Sequence, residues 1–471
     1  MEQIISSKKF GVIRLIMINI IAVDSLRNIS ITAQAGWIVI TFYLLAGIVF
    51  LIPCALLTAE MATGSSQEIG GIYIWVKKAF GKKLGFMVIW LQWVYNLVWF
   101  PSICGFFAGV IAYVVAPLIG LNANEMVSDP WYMISVSLVM FWSATAINLF
   151  GVKMSSTISL LGAIIGTLLP MAVIVIVAMI WSFSHTQNIT LPHVSEFVPS
   201  TSNIGSWGLF ITVMFSLFGL EMSAIHAANV NEPKKNFPRA LLISGSVILG
   251  SLILSNIAVL LVSSQMQVGD VDMVTGLMVS FNYFFGQIHM EWMSYVMAIT
   301  LIFGAFTTTS AWIMGLSRAF MLVSNDKILP EIFGRTNKND SPVFMLITQA
   351  VIFSVFCFSY IFMPSVNEAY WFLSDLTAQL AIIAYAFMFI SAVKIRLNYQ
   401  LVDGQYCITK SPVGTIVMAA LGCLGCIVAF IVSFIPVDSI GMSVLEFDLL
   451  LVAGIAVALI IPILISFKKI L

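Results

Sequence analysis

Phe215-Ser216-Leu217-Phe218-Gly219-Leu220-Glu221-Met222-Ser223 sets a glycine and a carboxylate in the middle of an apolar run from about 207 to 230. An ionisable group at bilayer depth costs roughly 2.5 to 3.5 kcal/mol on insertion scales, so it asks for a partner, a cavity or a function. A glycine flanked by aromatic and small polar residues suits a helix that unwinds there, exposing backbone carbonyls and amides to a ligand in a protein-lined cavity. The plain alternative is a packing glycine with a glutamate reaching a neighbouring helix. Interrupted helices at matching places in two halves of a chain are the best sequence pointer to a transport site. The matching place here is Ile20-Ile21-Ala22-Val23-Asp24-Ser25-Leu26-Arg27-Asn28, where Asp24 and Arg27 sit mid-span, three residues apart. On an intact helix they are neighbours and neutralise each other, which lowers the insertion cost without explaining why either charge is present.

Around these two segments the chain is apolar almost throughout. Of its 471 residues 60% are apolar and 9% charged, where soluble domains carry about a quarter charged. A span takes ~20 apolar residues, and such runs recur along nearly the whole length. The predicted fold is therefore an all-α integral membrane protein in a lipid bilayer. Runs bounded by charge, Gly, Pro or Asn give twelve spans, near 10 to 36, 37 to 62, 84 to 116, 130 to 150, 154 to 183, 207 to 230, 239 to 265, 282 to 323, 343 to 363, 368 to 394, 412 to 436 and 445 to 467. The first run lacks a small-residue cleavage site behind it and is expected to be retained. The amphipathic stretch from Gly64 to Lys83 is too basic to cross and is expected to lie in the interface.

Charge position tests that count, because Lys and Arg accumulate in cytoplasmic loops. Lys8, Lys9 and Arg14 open span 1. Lys77, Lys78, Lys82 and Lys83 follow span 2, Lys153 span 4, and Lys234, Lys235 and Arg239 span 6. Arg318, Lys327, Arg335 and Lys338 surround the exit of span 8, Lys394, Arg396 and Lys410 that of span 10, and Lys468 and Lys469 that of span 12. The opposite loops hold no Lys or Arg and carry Glu125, Asp129, Glu196, Asp270, Asp272, Glu291, Glu368 and Asp438 instead. This pattern predicts both termini on the cytoplasmic side of a cell membrane, with Arg27 alone breaking the rule. Zero formal net charge points to no nucleic-acid partner. Cys423 and Cys426 form a CxxC inside an apolar run without a second pair or a nearby His, so no metal or other cofactor is expected. The four histidines form no acid/base set, which weighs against an enzyme.

Two further features are ambiguous. Asp375, in the outer part of span 10, either partners Arg27 or lines an outer vestibule. Thr307-Thr308-Thr309-Ser310, before Trp312 in span 8, either satisfies helix carbonyls or ligates Na⁺ or a substrate.

Phe218-Gly219-Leu220-Glu221 followed by Asn231-Glu232-Pro233-Lys234-Lys235-Asn236-Phe237-Pro238-Arg239-Ala240 resembles the amino acid–polyamine–organocation superfamily. Ala59-Glu60-Met61-Ala62, Gly70-Gly71-Ile72-Tyr73-Ile74-Trp75-Val76 and the stretch from Trp312 through Arg318 to Asp326-Lys327-Ile328-Leu329-Pro330 extend the likeness over most of the first ten spans, nearest to the glutamate/GABA antiporter branch. The resemblance implies two inverted five-helix repeats, about 10–183 and 207–398, forming a transport core over 1–398, with two peripheral helices in 399–471. It further implies a substrate held between broken helices 1 and 6. Carried onto this chain, the first break falls at Ala22, Val23, Asp24 and Ser25 and the second at about Phe215 to Leu220, with Phe215 and Trp312 at aromatic gate positions. Three departures stand out. The usual helix 1 glycines are replaced by Ala22 and Asp24, Thr308 stands where glutamate/GABA antiporters place an acid, and the chain stops soon after span 12, so a C-terminal plug is not expected.

The expected function is alternating-access transport of an amino acid or related amine, by exchange or proton linkage. In it Asp24 or Glu221 engages an amine or a proton and Arg27 a carboxylate. A Na⁺-coupled symporter of the same fold is the alternative, and monomer or homodimer is left open.

Overall fold

The computed structural model describes residues 11–23, 26–65, 71–151, 160–162, 164–184, 192–199, 205–263, 275–363, 365–402, 404–435 and 443–467. Asp24 and Ser25 lie outside the described residues, as do Lys8, Lys9, Lys153, Gly70, Asp270, Asp272, Asp438, Lys468 and Lys469.

Every described element is a helix. In chain order the long ones are α1 (Val12–Val23), α2 (Ile38–Gly64), α3 (Ile72–Phe80), α4 (Lys82–Val115), α5 (Pro130–Leu149), α6 (Leu169–Ser184), α7 (Gly205–Phe215) and α8 (Pro233–Ser263), then α9 (Gly276–Gln287), α10 (Trp292–Asn325), α11 (Val343–Phe356), α12 (Val366–Asn398), α13 (Val413–Val432) and α14 (Val444–Phe467). Eleven stretches among the described residues are long and apolar enough to cross a membrane, and they coincide with spans 2 to 12. The described part of the segment expected as span 1 comprises α1, 3₁₀ turns at Leu26–Asn28 and Ala33–Ala35, and a short helix at Ile29–Thr32. Asn19 donates to Ser244 Oγ (2.9 Å) and Thr32 to Asn256 Oδ1 (2.8 Å), so polar pairs seat this segment against α8. In hydrocarbon such pairs supply what hydrophobicity cannot.

One boundary differs from expectation. The run from 282 to 323 is two elements, because α9 ends at Gln287, His289 adopts a left-handed φ of 54°, and α10 starts at Trp292. Apolar residues on both sides of that turn conceal it from a hydropathy reading.

Two polar clusters fix the lysine-rich end of the bundle. Asp326, one residue past α10, accepts a hydrogen bond from Tyr73, pairs with Lys77 on α3 and lies 3.6 Å from Lys82. Burial pushes its carboxyl up, but the bonds from Lys77 and Tyr73 and the charges of Lys77 and Lys82 outweigh it and hold the group below the usual carboxylate range. A depressed folded pKa contributes stability above the unfolded value, about 3.9, and loses it as pH falls through the folded value. After solvent screening we expect Asp326→Asn to weaken the docking of α3 by about 1 kcal/mol at neutral pH. It should also remove the acid-dependent loss of amide-exchange protection in 72–80 below about pH 4; equal protection in both proteins across that range would refute the latch. In the second cluster Glu60 of α2 accepts from Thr415 (3.0 Å) and from the Ile408 amide (3.3 Å) and lies 3.1 Å from Arg396 Nε of α12.

Candidate functional site

The helix begun at Gly205 stops at Phe215. The next amides bond back over short turns, Leu217 to Met214 O and Phe218 to Phe215 O, and a 3₁₀ helix runs from Leu220 to Asn229. Gly219 is the hinge of this break. Its φ of +116° is open to glycine alone, and a Cβ there would stand 2.9 Å from Ala22 O and 3.4 Å from Trp312. The end of α1 and the break after α7 therefore touch, backbone to backbone.

Tyr385 of α12 secures the junction. Its hydroxyl accepts the Gly219 amide (2.7 Å) and donates to Glu221 Oε2 (2.6 Å). One side chain thus satisfies an amide that has left the helix ladder and a buried carboxylate, both costly to leave unpaired. Phe50 and Phe218 pack against the Tyr385 ring at centroid distances of 4.9 and 4.7 Å.

Beside the junction is a cavity of about 500 Å³, counting all unfilled space out to solvent. Ala22, Val23, Arg27 and Asn28 supply one wall, and Phe215, Ser216 and Phe218 another. The remainder comes from Tyr95, Asn96 and Trp99 of α4 and Thr308 and Trp312 of α10. Arg27 is 2% exposed. Its Nη1 donates to Ser102 (2.7 Å) and Tyr370 (3.1 Å), and the rings of Trp99, Phe215 and Tyr370 lie 6.0, 5.6 and 5.4 Å from its carbon centre. All four of these residues are neutral, Nε has no hydrogen bond, and Arg27 forms no ion pair among the described residues.

The expected residues separate into groups. Ala22, Val23, Arg27, Phe215, Phe218, Thr308 and Trp312 line the cavity, Gly219 is its hinge, and Glu221 lies behind the hinge with Tyr385. Asp375 does not partner Arg27 and does not line the cavity. It is 5% exposed inside α12, and its Oδ1 has no hydrogen-bond partner among the described residues. Of the hydroxyl run, Thr307 bonds to Gly304 O (2.9 Å), Thr309 to Ala305 O (2.8 Å), and Ser310 accepts from Asn148 (3.1 Å). Of that run Thr308 alone faces the cavity, and with Arg27 it also lines a second space between α4, Gly166 and Thr167 ahead of α6, and α10. The sequence reading missed Tyr95, Asn96, Trp99, Ser102, Tyr370 and Tyr385. Gln92 and Asn96, spaced one turn apart within an apolar run, were the available signal on α4.

A broken helix hinged on a glycine beside a second helix end, around a largely apolar cavity holding one arginine, is the geometry that comparison with known proteins meets. The amino acid permease family matches residues 10–461. The chain belongs to that family. The permease is 40% identical to an uncharacterised transporter of Legionella pneumophila, over 97% of this chain and 96% of the other. It is 26% identical to a glutamate/γ-aminobutyrate antiporter of Lactococcus lactis, over 89% of this chain and 83% of that one. An arginine/ornithine antiporter of Latilactobacillus sakei is 24% identical over 83% and 80%. The permease is thus a multi-pass membrane protein of the amino acid–polyamine–organocation superfamily, related to the glutamate/GABA antiporter branch, and its relatives are transporters and not enzymes.

Proposed function

We propose that this permease moves amino acids by alternating access, exchanging one substrate for another or linking uptake to a proton, from a site between Ala22–Arg27 and Phe215–Glu221. The observation that carries the reading is the contact of the two interrupted segments at Gly219, beside a cavity whose one charged wall residue is Arg27 among those described. A buried guanidinium met, among the described residues, only by neutral groups suits a ligand that brings a carboxylate. The antiporter names of several relatives support exchange. We read 10–183 and 207–398 as two inverted repeats and 399–471 as peripheral helices, with both termini in the cytoplasm. Na⁺ coupling is disfavoured by Thr308 alone of the hydroxyl run lining the two spaces and by the cationic Arg27 sharing both with it.

The test is counterflow in proteoliposomes. Radiolabelled amino acids, screened first by thermal shift, should enter faster when unlabelled substrate is inside, and replacing Na⁺ with choline should change nothing. Glu221→Gln should lower exchange at least about tenfold and flatten its pH dependence. Full exchange and an unchanged pH profile in that variant would remove the coupling role, and uptake indifferent to internal substrate would remove antiport.

A further inference from the structure

Another cavity of about 500 Å³ lies at the lysine-rich end, lined by none of the residues of the candidate transport site. It is bounded by Glu60 and Gly64 of α2, Trp75 and Lys78 of α3, and Arg396 and Tyr399 at the end of α12, with Gln405 of the following linker. Its charges do not cancel. Glu60 is consumed by Thr415, the Ile408 amide and Arg396 Nε. Arg396 Nη2 donates to the carbonyls of Thr409 (3.1 Å) and Lys410 (2.8 Å), leaving Nη1 without a partner among the described residues. Lys78 has no acidic partner there either, and its ammonium rests 4.6 Å over the Tyr399 ring. Counted over the described residues, one net cation and a spare guanidinium donor therefore line the space.

The lip has a different chemistry. Tyr399, Leu401 and Val402 follow the last residue of α12, outside any spanning helix, yet they are 47%, 42% and 55% exposed. Exposed apolar side chains next to a cationic hollow match a molecule that is anionic at one point and greasy beside it. Tyrosine and tryptophan at a membrane interface suit the same level. An inorganic anion would have no use for that lip.

We infer that this cavity binds the headgroup phosphate of an anionic phospholipid, with Lys78 and Arg396 Nη1 on the phosphate and Leu401 and Val402 against the upper acyl chain. The inference goes beyond transport and needs only that the lysine-rich end meets a leaflet. Removing one cation at a membrane surface weakens anionic-lipid binding roughly fivefold.

The experiment is native mass spectrometry of the delipidated permease titrated with phosphatidylglycerol or phosphatidylcholine, with melting in phosphatidylcholine as the check that each variant folds. One phosphatidylglycerol should be retained in preference to phosphatidylcholine. Lys78→Ala should lose about fivefold in that retention, Leu401→Ser with Val402→Ser should also weaken it, and Lys338→Ala, on an exposed loop, should not. Equal retention in Lys78→Ala and the native chain overturns the site, as does equal loss in Lys338→Ala. Displacement of the lipid by millimolar inorganic phosphate, with no effect of the Leu401 and Val402 changes, would make it a free-anion site and overturn the lipid. If Lys78→Ala does not fold, the Leu401 and Val402 variant decides alone. None of these readouts depends on flux, so their failure leaves the transport reading untouched.

Discussion

Arg27→Met should abolish substrate-induced stabilisation and exchange while leaving the intrinsic melting temperature of the permease unchanged or higher. A cation at bilayer depth costs roughly 2.5 to 3.5 kcal/mol on insertion scales. Two hydrogen bonds to hydroxyls and three rings at 5.4 to 6.0 Å return part of that. At about 0.5 to 2 kcal/mol for a cation over an aromatic face, they come near to balancing it without a counter-charge from the described residues. Methionine fills similar volume and keeps the contacts with Trp99 and Phe215 without the charge. The ligand complex behaves oppositely. Losing one member of a buried charge-assisted pair costs about 2 to 5 kcal/mol, which is at least thirtyfold in affinity. A structural arginine predicts the reverse signature, a lowered melting temperature with ligand response intact. Thermal shift with and without substrate separates the two, and Arg27→Lys should restore only part of the response because a point charge cannot reproduce the planar fork.

Gly219→Ala is the second large effect. Alanine at φ +116° is strained by about 1 to 3 kcal/mol, and its Cβ would stand 2.9 Å from Ala22 O, a backbone atom with nowhere to retreat without moving the end of α1. We expect exchange to fall at least about tenfold, in a protein that still inserts and elutes as a single species. Gly315→Ala is the control, since among the described residues its added methyl would meet the flexible Met222 Cε alone, at 3.6 Å. Equal exchange in Gly219→Ala and Gly315→Ala would mean that the break has no part in transport.

The spans were legible because loops and spans differ in charge, a signal that every residue from Lys77 to Lys410 on the basic side reinforces. The turn at His289 was not, because a tight turn between two apolar helices changes neither hydropathy nor charge. In the site, Arg27 and Glu221 stood out because charge at membrane depth is expensive. Tyr385, Tyr370, Asn96 and Ser102 did not, since neutral polar and aromatic residues insert at little cost, and their roles depend on how distant helices are registered. Asp375 marks the limit of the charge criterion, being as conspicuous as Arg27 in the sequence yet off the cavity in the structure.

The neutral cage around Arg27 also bears on energetics under a membrane potential. On the transport reading, an empty carrier that reorients shifts this guanidinium, which has no ion pair among the described residues, relative to the electric field, against at most about 2.3 kcal/mol per 100 mV for a full crossing. A carrier holding a carboxylate on the same group shifts no net charge from that pair. For a substrate whose own net charge is −1, voltage therefore weighs on the empty return and spares the loaded passage, which favours one-for-one swapping over net flow.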